Sequence, residues 1–475
     1  MTRLRLTPTM DSNYRRPIGI DLFSGVGGLS LGFEQAGFDI VTSVEYDPVH
    51  AAVHAFNFPL TEVICADAST VQPPQVIEAA KRGFLAHGRL ASEWTGKIDV
   101  IFGGPPCQGF STMGKRKADD DRNNLVYVFA DLVGFIQPRY FVMENVPGMV
   151  AGGDASILPA LIDRFHAYGY EISIASEEIR RRAILNAADF GAPQDRRRLI
   201  LIGSLRGEPM ALYPPPTVAR AMKRAGRAGK RGAISSSSDG LPIGPTVWDA
   251  IGDIPDLDHY EVLLSTDEVH LPLEDIQKAN EHASDYARRL RGEIEDAEDF
   301  SYPRLWDPGL LTSSMRTEHT AATIKRFRET PPGETEEVSR FYRLDPNGLC
   351  NTLRAGTGSE RGAHTSPRPI HPTSPRVISV REAARLHSFP DWFRLHRTKW
   401  HGFRSVGNAV PPLLGRAIGR SIMRAMDIHP VKPGEPINLG NPVLLSLNRT
   451  LALAYFGAPE QHALKSRTRV ARENG

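Results

Sequence analysis

The sequence predicts an α/β protein, a doubly wound and mostly parallel sheet accompanied by a second, irregular domain. Three observations carry that reading. Through about residue 205, short apolar runs alternate with stretches of helical spacing, the rhythm of strands joined by crossover helices. Several runs are apolar almost throughout, as strands covered on both faces are. After Ser204 the rhythm stops, and proline, glycine and blocks of like charge take over.

Strands are expected at Ile18–Phe23, Ile40–Glu45, Glu62–Cys65, Ile98–Phe102, Tyr140–Met143 and Leu199–Ile202. Between the first two, Leu29, Phe33 and Ala36 recur at helical spacing and Gly37 marks a stop. A helix-like stretch, Val76–Leu90, follows the third strand. Residues 16–205 thus form the first domain and 206–375 the irregular one. From Arg206 to Arg231 there are seven basic residues and one acidic; from Asp249 to Asp299 there are sixteen acidic and four basic. The acidic block reads as a solvated outer face, because it would repel phosphates. The basic block and Arg340, Arg343, Arg354 and Arg361 read as the phosphate-facing side. Helical pattern returns over 376–426, where Ser379 and Glu382 have capping-box spacing and a second helix begins near Pro411–Pro412. These helices suit packing back on the first domain. The tail, 427–475, carries no assigned role.

With 475 residues, 41% apolar and 24% charged, the chain has ordinary globular composition, which excludes a fibrous or wholly disordered protein. A net charge of +2 neither demands nor excludes nucleic acid. Cys65, Cys107 and Cys350 make no CxxC pair, which fits a reducing compartment and argues against a structural zinc site. No apolar leader opens the chain and no apolar run approaches a bilayer's thickness, so a soluble cytoplasmic protein is expected.

Asp21-Leu-Phe23-Ser-Gly25-Val-Gly27-Gly28-Leu29 leaves a strand and opens a helix, and its glycines allow backbone to approach a ligand. Glu45 ends the next strand, where a carboxylate can accept ribose hydroxyls; Asp67, past the third, can accept from an adenine amino group. The three together describe an adenosine-containing cofactor. The glycine spacing falls short of the full dinucleotide fingerprint, so a nicotinamide enzyme and a plain strand–helix turn both stay open. Gly103-Gly-Pro105-Pro-Cys107-Gln-Gly-Phe-Ser111 leaves the fourth strand, where doubly wound sheets place active sites. A lone cysteine is usually a small buried hydrophobe. Here the stiff, glycine-flanked loop favours a nucleophile. Glu144, in Phe141-Val-Met-Glu144-Asn145-Val-Pro147, ends the fifth strand and can point into the same crevice for proton transfer; the bland alternative is a helix-capping surface charge. In Gln194-Asp-Arg196-Arg-Arg198, strand alternation puts Arg196 and Arg198 on one side, suited to phosphate or carbonyl recognition or to an ordinary basic stripe.

These segments, with Arg376–Pro390 and Ser405-Val-Gly-Asn408-Ala-Val-Pro411, resemble the ordered motifs of the DNA (cytosine-5) methyltransferases, typified by bacterial restriction–modification methylases. The dissimilar middle lies where that family keeps its target recognition domain. The resemblance implies the S-adenosylmethionine-dependent methyltransferase fold. Phe23, Gly25, Gly27 and Gly28 would line the S-adenosylmethionine site, Glu45 would hold the ribose, Tyr46 would stack on adenine and Asp67 would accept from its amino group. Pro105, Leu125 and Asn408 would complete the pocket. A cytosine flipped from double-stranded DNA would be attacked at carbon 6 by Cys107 while Glu144 holds ring nitrogen 3, with Arg196 and Arg198 positioning the base or the adjacent phosphate. Amino-group methylases of related pattern carry an aromatic residue after the two prolines, so Cys107 selects carbon 5.

The resemblance leaves open a cognate restriction endonuclease acting on the same site, which would make the mark protective, or, without one, a regulatory or maintenance role; monomeric action is expected. The rival readings are cytosine-5 methylation of tRNA, a catalytically silent DNA-binding homologue and a nicotinamide oxidoreductase. The long middle region favours duplex DNA over tRNA, since sequence there must be read from base edges. Cys107, Glu144 and both arginines argue against a silent homologue, and the nicotinamide reading leaves Gly103–Ser111 unexplained.

Overall fold

A computed structural model describes residues 16–106, 124–151, 157–172, 182–221, 240–356 and 368–458. Strands β1 (Ile18–Leu22), β2 (Asp39–Glu45), β3 (Glu62–Cys65), β4 (Val100–Gly103) and β5 (Tyr140–Asn145) are joined through helices α1 (Gly28–Ala36), α2 (Pro48–Asn57), α3 (Pro73–Ala86) and α4 (Asn124–Ile136). Short α5 (Gly148–Ala151) and α6 (Ile157–Ala167) follow. Then come β6 (Tyr170–Ile172), β7 (Ile184–Asn186), β8 (Gln194–Asp195) and β9 (Arg197–Leu205). Eight strands form one sheet in the order β3-β2-β1-β4-β5-β9-β6, with β7 also on β9. The first five strands run parallel, and β9 is antiparallel to β5, β6 and β7.

Both faces are covered, which is why these strands lack an apolar–polar alternation. Ile101, Phe141, Met143, Leu199 and Leu201 point to one side, among Val76, Phe129 and Phe165. Val100, Phe102, Tyr140, Val142, Ile200 and Ile202 point to the other, with Leu29 and Phe33 of α1. Gly37, left-handed at φ 107°, ends α1 where the sequence places the stop, and its amide bonds back to Glu34.

The middle of the chain contributes short elements: α7 (Val247–Ile251), β10 (Val269–His270), α8 (Leu273–His282), α9 (Asp285–Leu290), β11 (Arg304–Leu305), β12 (Leu310–Leu311), α10 (Ala321–Glu329) and β13 (Cys350–Asn351). Three helices return: α11 (Val380–Leu386), α12 (Lys399–Asn408) and α13 (Pro412–Ala425). The Ser379–Glu382 capping box forms as spaced. Helix α13 lies against α1 with Gly32 and Gly415 in close approach, and Leu414, Ile418 and Ile422 join the same core as Phe33. Strand β14 (Ile437–Asn438) pairs with β11, and α14 (Arg449–Phe456) ends the described chain.

The acidic block is not simply a solvated face. Asp296 accepts from Arg416 at 2.6 Å, Glu298 pairs with Arg420, and Glu295 binds Lys432 at 2.8 Å. Arg416 and Arg420 stand one turn apart on α13, and the acidic segment supplies their partners. Just beyond it, Arg304 makes a buried two-pronged pair with Glu34 of α1 at 2.8 and 2.9 Å. Among the described residues no helix is long and apolar enough to cross a membrane.

Candidate active site

The strand order reverses between β1 and β4, so the loops at their carboxyl ends frame a crevice. After β1, Phe23 takes a φ of 62°, an outlier for an aromatic residue of the sort that clusters at functional sites. Gly25 and Gly27 follow at φ 55° and 96°, conformations that glycine adopts without strain. Glu45 at the end of β2 clamps this turn: its Oε2 accepts from Gly25 N and its Oε1 from Asp47 N, both at 2.7 Å. Burial pushes the Glu45 carboxyl up from its ordinary range, and the neighbouring His50 opposes that. No side chain caps α1 at Gly27, and a side chain at Gly25 would meet nothing within 4 Å. The start of α1 thus lacks a side-chain cap, and the open space lies over Gly25 just before it, a combination that suits an anionic group. A β-carbon on Gly28 would sit 2.3 Å from Val410 O, so the glycine brings the Asn408–Pro411 segment onto the turn. Asp67 follows β3, and its Oδ1 accepts from Ser69 N and Oγ at 2.9 and 2.7 Å. Tyr46 and Leu125 are half-buried, Pro105 is buried, and Asn408 is exposed at the end of α12.

Beneath the turn lies a buried chain to which the sequence reading gave no role. Ser30 Oγ donates to Asp21 Oδ2 at 2.6 Å and lies 3.0 Å from His54 Nε2, while His54 Nδ1 is 3.5 Å from Ser43 Oγ. Burial pushes Asp21 up to about 8 and His54 down to about 3, so the imidazole is neutral. A carboxylate inside an otherwise apolar strand and a histidine within helix α2 were the available signals.

Across the crevice, β5 delivers Glu144. Its Oε2 would be 2.8 Å from a β-carbon on Gly104, so the carboxylate lies directly over the residue that follows β4. Arg198 Nε donates to Glu144 Oε1 at 2.7 Å, and both side chains keep 14% exposure, enough to meet a ligand in the crevice. The next residue, Asn145, is buried; its Nδ2 donates to Pro105 O at 3.2 Å and its Oδ1 accepts from Val146 N at 2.8 Å. That fastens the loop to β5. Cys107 itself lies outside the described residues.

Arg196 departs from its expected place beside the base. It is 1% exposed, and its guanidinium donates to the carbonyls of Leu353 at 2.9 Å, Gly407 at 2.9 Å and Ala409 at 2.8 Å. Strand regularity breaks at this residue, between β8 and β9, so alternation does not govern its direction. Burial above all lowers its affinity for a proton, and the Arg198 charge adds to that. Gln194, wholly buried, makes a similar splice: it accepts from Leu353 N at 3.1 Å and its Nε2 lies 2.9 Å from His387 Nδ1. These contacts anchor β13 to β8 and hold a groove lined by Arg340, Thr352, Arg354 and Arg368. Arg343 does not face such a groove as expected, because it is buried and donates to backbone carbonyls of Phe327, Thr330 and Pro372. Arg361 lies outside the described residues.

A family profile for C-5 cytosine-specific DNA methylase matches residues 18–424. The type II methyltransferase M.XorII of Xanthomonas oryzae pv. oryzae is 48% identical over 442 residues, 93% of each chain. M.AgeI of Thalassovita gelatinovora, also a type II methyltransferase, is 31% identical across 86% of this chain and 99% of its own. Among solved structures, an E. coli protein described as a prophage-encoded DNA modification methyltransferase superposes with a TM-score of 0.62 at 30% identity. That match covers 86% of this chain and 99% of the other. With the crevice, the clamped glycine turn and Glu144 in place, these likenesses establish that the chain belongs to the C-5 cytosine-specific DNA methylase family.

Proposed function

We propose that the protein transfers a methyl group from S-adenosylmethionine to carbon 5 of a cytosine flipped out of a specific double-stranded DNA sequence, through a covalent Cys107 adduct at carbon 6. The observation that carries this reading is the Glu144 carboxylate, which lies over Gly104 at the foot of the Cys107 loop and is paired with Arg198. A carboxyl group there can share a proton with ring nitrogen 3 and neutralise the charge that builds up when a nucleophile adds to carbon 6.

The residues present fit the cofactor. The uncapped start of α1 suits a carboxylate and the open space over Gly25 admits it. Each Glu45 oxygen accepts one backbone amide and keeps lone-pair capacity for a ribose hydroxyl. Phe23 and the Gly25, Gly27 and Gly28 turn would line this site with Pro105, Leu125 and Asn408, while Tyr46 would stack on adenine and Asp67 would accept from its amino group. S-adenosylmethionine supplies an electrophilic methyl on a sulfonium. The chain's own groups do the rest. Cys107 thiolate forms a bond to carbon 6, and the ring electron pair moves toward nitrogen 3, where Glu144 provides the proton. Arg198 holds Glu144 in place. Once carbon 5 bears the methyl group, nitrogen 3 returns its proton to Glu144, carbon 5 releases its own proton to solvent, the C5–C6 double bond re-forms, and Cys107 leaves as thiolate.

The arginine-lined groove of Arg340, Arg354 and Arg368 supports contact with DNA phosphates. The kinship with type II methyltransferases supports a mark that shields its site from a cognate restriction endonuclease; action as a monomer in the cytoplasm belongs to the same proposal. The deciding experiment is bisulfite sequencing of DNA from a methylase-free host expressing wild type or Cys107→Ala. A single sequence context protected only by wild type is expected; appreciable protection by the variant refutes the covalent route.

A further inference from the structure

We infer that the segment after α13 is a strap that closes the adenine side of the cofactor site, with Arg449 as the residue that positions the Tyr46 ring. This rests on the S-adenosylmethionine reading above. The family profile ends at residue 424, yet the chain beyond it stays folded on the catalytic sheet. It pairs β14 with β11, and Gly440 N donates to Phe56 O at 2.8 Å on α2. Leu444, Leu445 and Leu447 are buried in one core with Val53 and Phe56 of α2. Leu445 O accepts from Arg397 N at 2.9 Å. So seated, α14 lies on α2 and β3, the two elements beside Tyr46 and Cys65.

The guanidinium carbon of Arg449 lies 5.9 Å from the Tyr46 ring centroid, over the ring. Its charge also reaches the Cys65 thiol at the end of β3, whose pKa it lowers against a larger upward push from burial. Arg449 is the first residue of α14, after the Asn448 cap. A guanidinium over the ring face is attracted by the ring's quadrupole and so favours one ring orientation. A Tyr46 ring held in one orientation presents a prepared surface to adenine, and less ordering is needed on binding. The strap is anchored by residues 440–447, so Arg449 can be changed without unseating it.

The test is calorimetric titration of the full chain with S-adenosylhomocysteine, comparing wild type, Arg449→Ala, Arg449→Lys, Tyr46→Ala and the double variant Tyr46→Ala/Arg449→Ala. Arg449→Ala should weaken binding about two- to fivefold, the range of a partly exposed cation–ring contact, and Arg449→Lys should restore part of it. In the Tyr46→Ala background the arginine should no longer matter. DNA affinity without cofactor should be unchanged throughout. Equal affinity of Arg449→Ala and wild type overturns the inference while leaving the cofactor assignment standing. An equal loss with and without Tyr46 overturns the positioning role. Failure of wild type to bind S-adenosylhomocysteine overturns the cofactor reading itself.

Discussion

Arg196→Ala should unfold the molecule more readily while Arg198→Ala should silence it, although the two arginines stand two residues apart. The Arg196 guanidinium serves three buried carbonyls, and one of them, Ala409 O, also lies 2.9 Å from His387 Nε2. Truncation therefore strips the Arg196 donor from Leu353 O and Gly407 O and thins the bonding of the third. At roughly 1–3 kcal/mol for each buried acceptor deprived of a partner, the gross loss is about 3–5 kcal/mol. Relief from burying a cation offsets part, so a net loss of about 3 kcal/mol is expected. Arg198 is 14% exposed and bonded to one carboxylate. Its removal should cost no more than about 1 kcal/mol. Urea unfolding followed by fluorescence and near-ultraviolet circular dichroism, where coincident transitions license a free energy, measures the difference. Methyl transfer is measured below urea, at a temperature where both variants are folded. If Arg196→Ala stays within about 1 kcal/mol of wild type while its turnover collapses, the splice argument is wrong and Arg196 belongs at the base.

Glu144→Gln should slow methyl transfer about 10²–10⁴-fold in single-turnover assays without loss of S-adenosylhomocysteine binding; a loss below tenfold would count against proton sharing at nitrogen 3. Asp21 has a folded-state pKa of about 8, above its ordinary 3.8, so the native state holds a proton that the unfolded chain has released and stability falls as pH rises between roughly 4 and 8. His54, lowered to about 3, acts oppositely: stability falls as pH drops below about 6.5, because only the unfolded chain takes up the proton. Asp21→Asn should therefore gain on wild type from pH 5 to pH 8 in parallel urea titrations, and an unchanged difference would refute the buried-carboxyl assignment. Gly28→Ala forces a β-carbon to within 2.3 Å of Val410 O, so thermal midpoint and S-adenosylhomocysteine affinity should fall together; a shift in neither would mean that the turn yields freely.

Local chemistry wrote much of this fold. The Gly37 stop, the Ser379–Glu382 box and the helix at Pro412 all depend on neighbours within a turn, and each appears where the sequence places it. Strand centres were equally legible because they are apolar. Their ends were less so: β9 runs from Arg197 to Leu205, beyond the expected Leu199–Ile202, because its flanks are polar or small. Glu144 was readable as a candidate for the proposed site because it breaks an apolar strand at the carboxyl end, where the sheet opens.

The fates of Arg196 and Arg198 could not be read that way. Arg196's partners lie 157 to 213 residues away in sequence, and only the packed chain brings those carbonyls to it. The same holds for the strap from β14 to α14, whose weak pattern conceals anchoring on α2, and for the end of the acidic block, where Asp296 and Glu298 find Arg416 and Arg420 on a helix more than a hundred residues later. Sequence determines what a residue can do within reach of its own turn or strand. Tertiary structure decides which buried groups need a partner, because that need arises only when distant segments exclude water together.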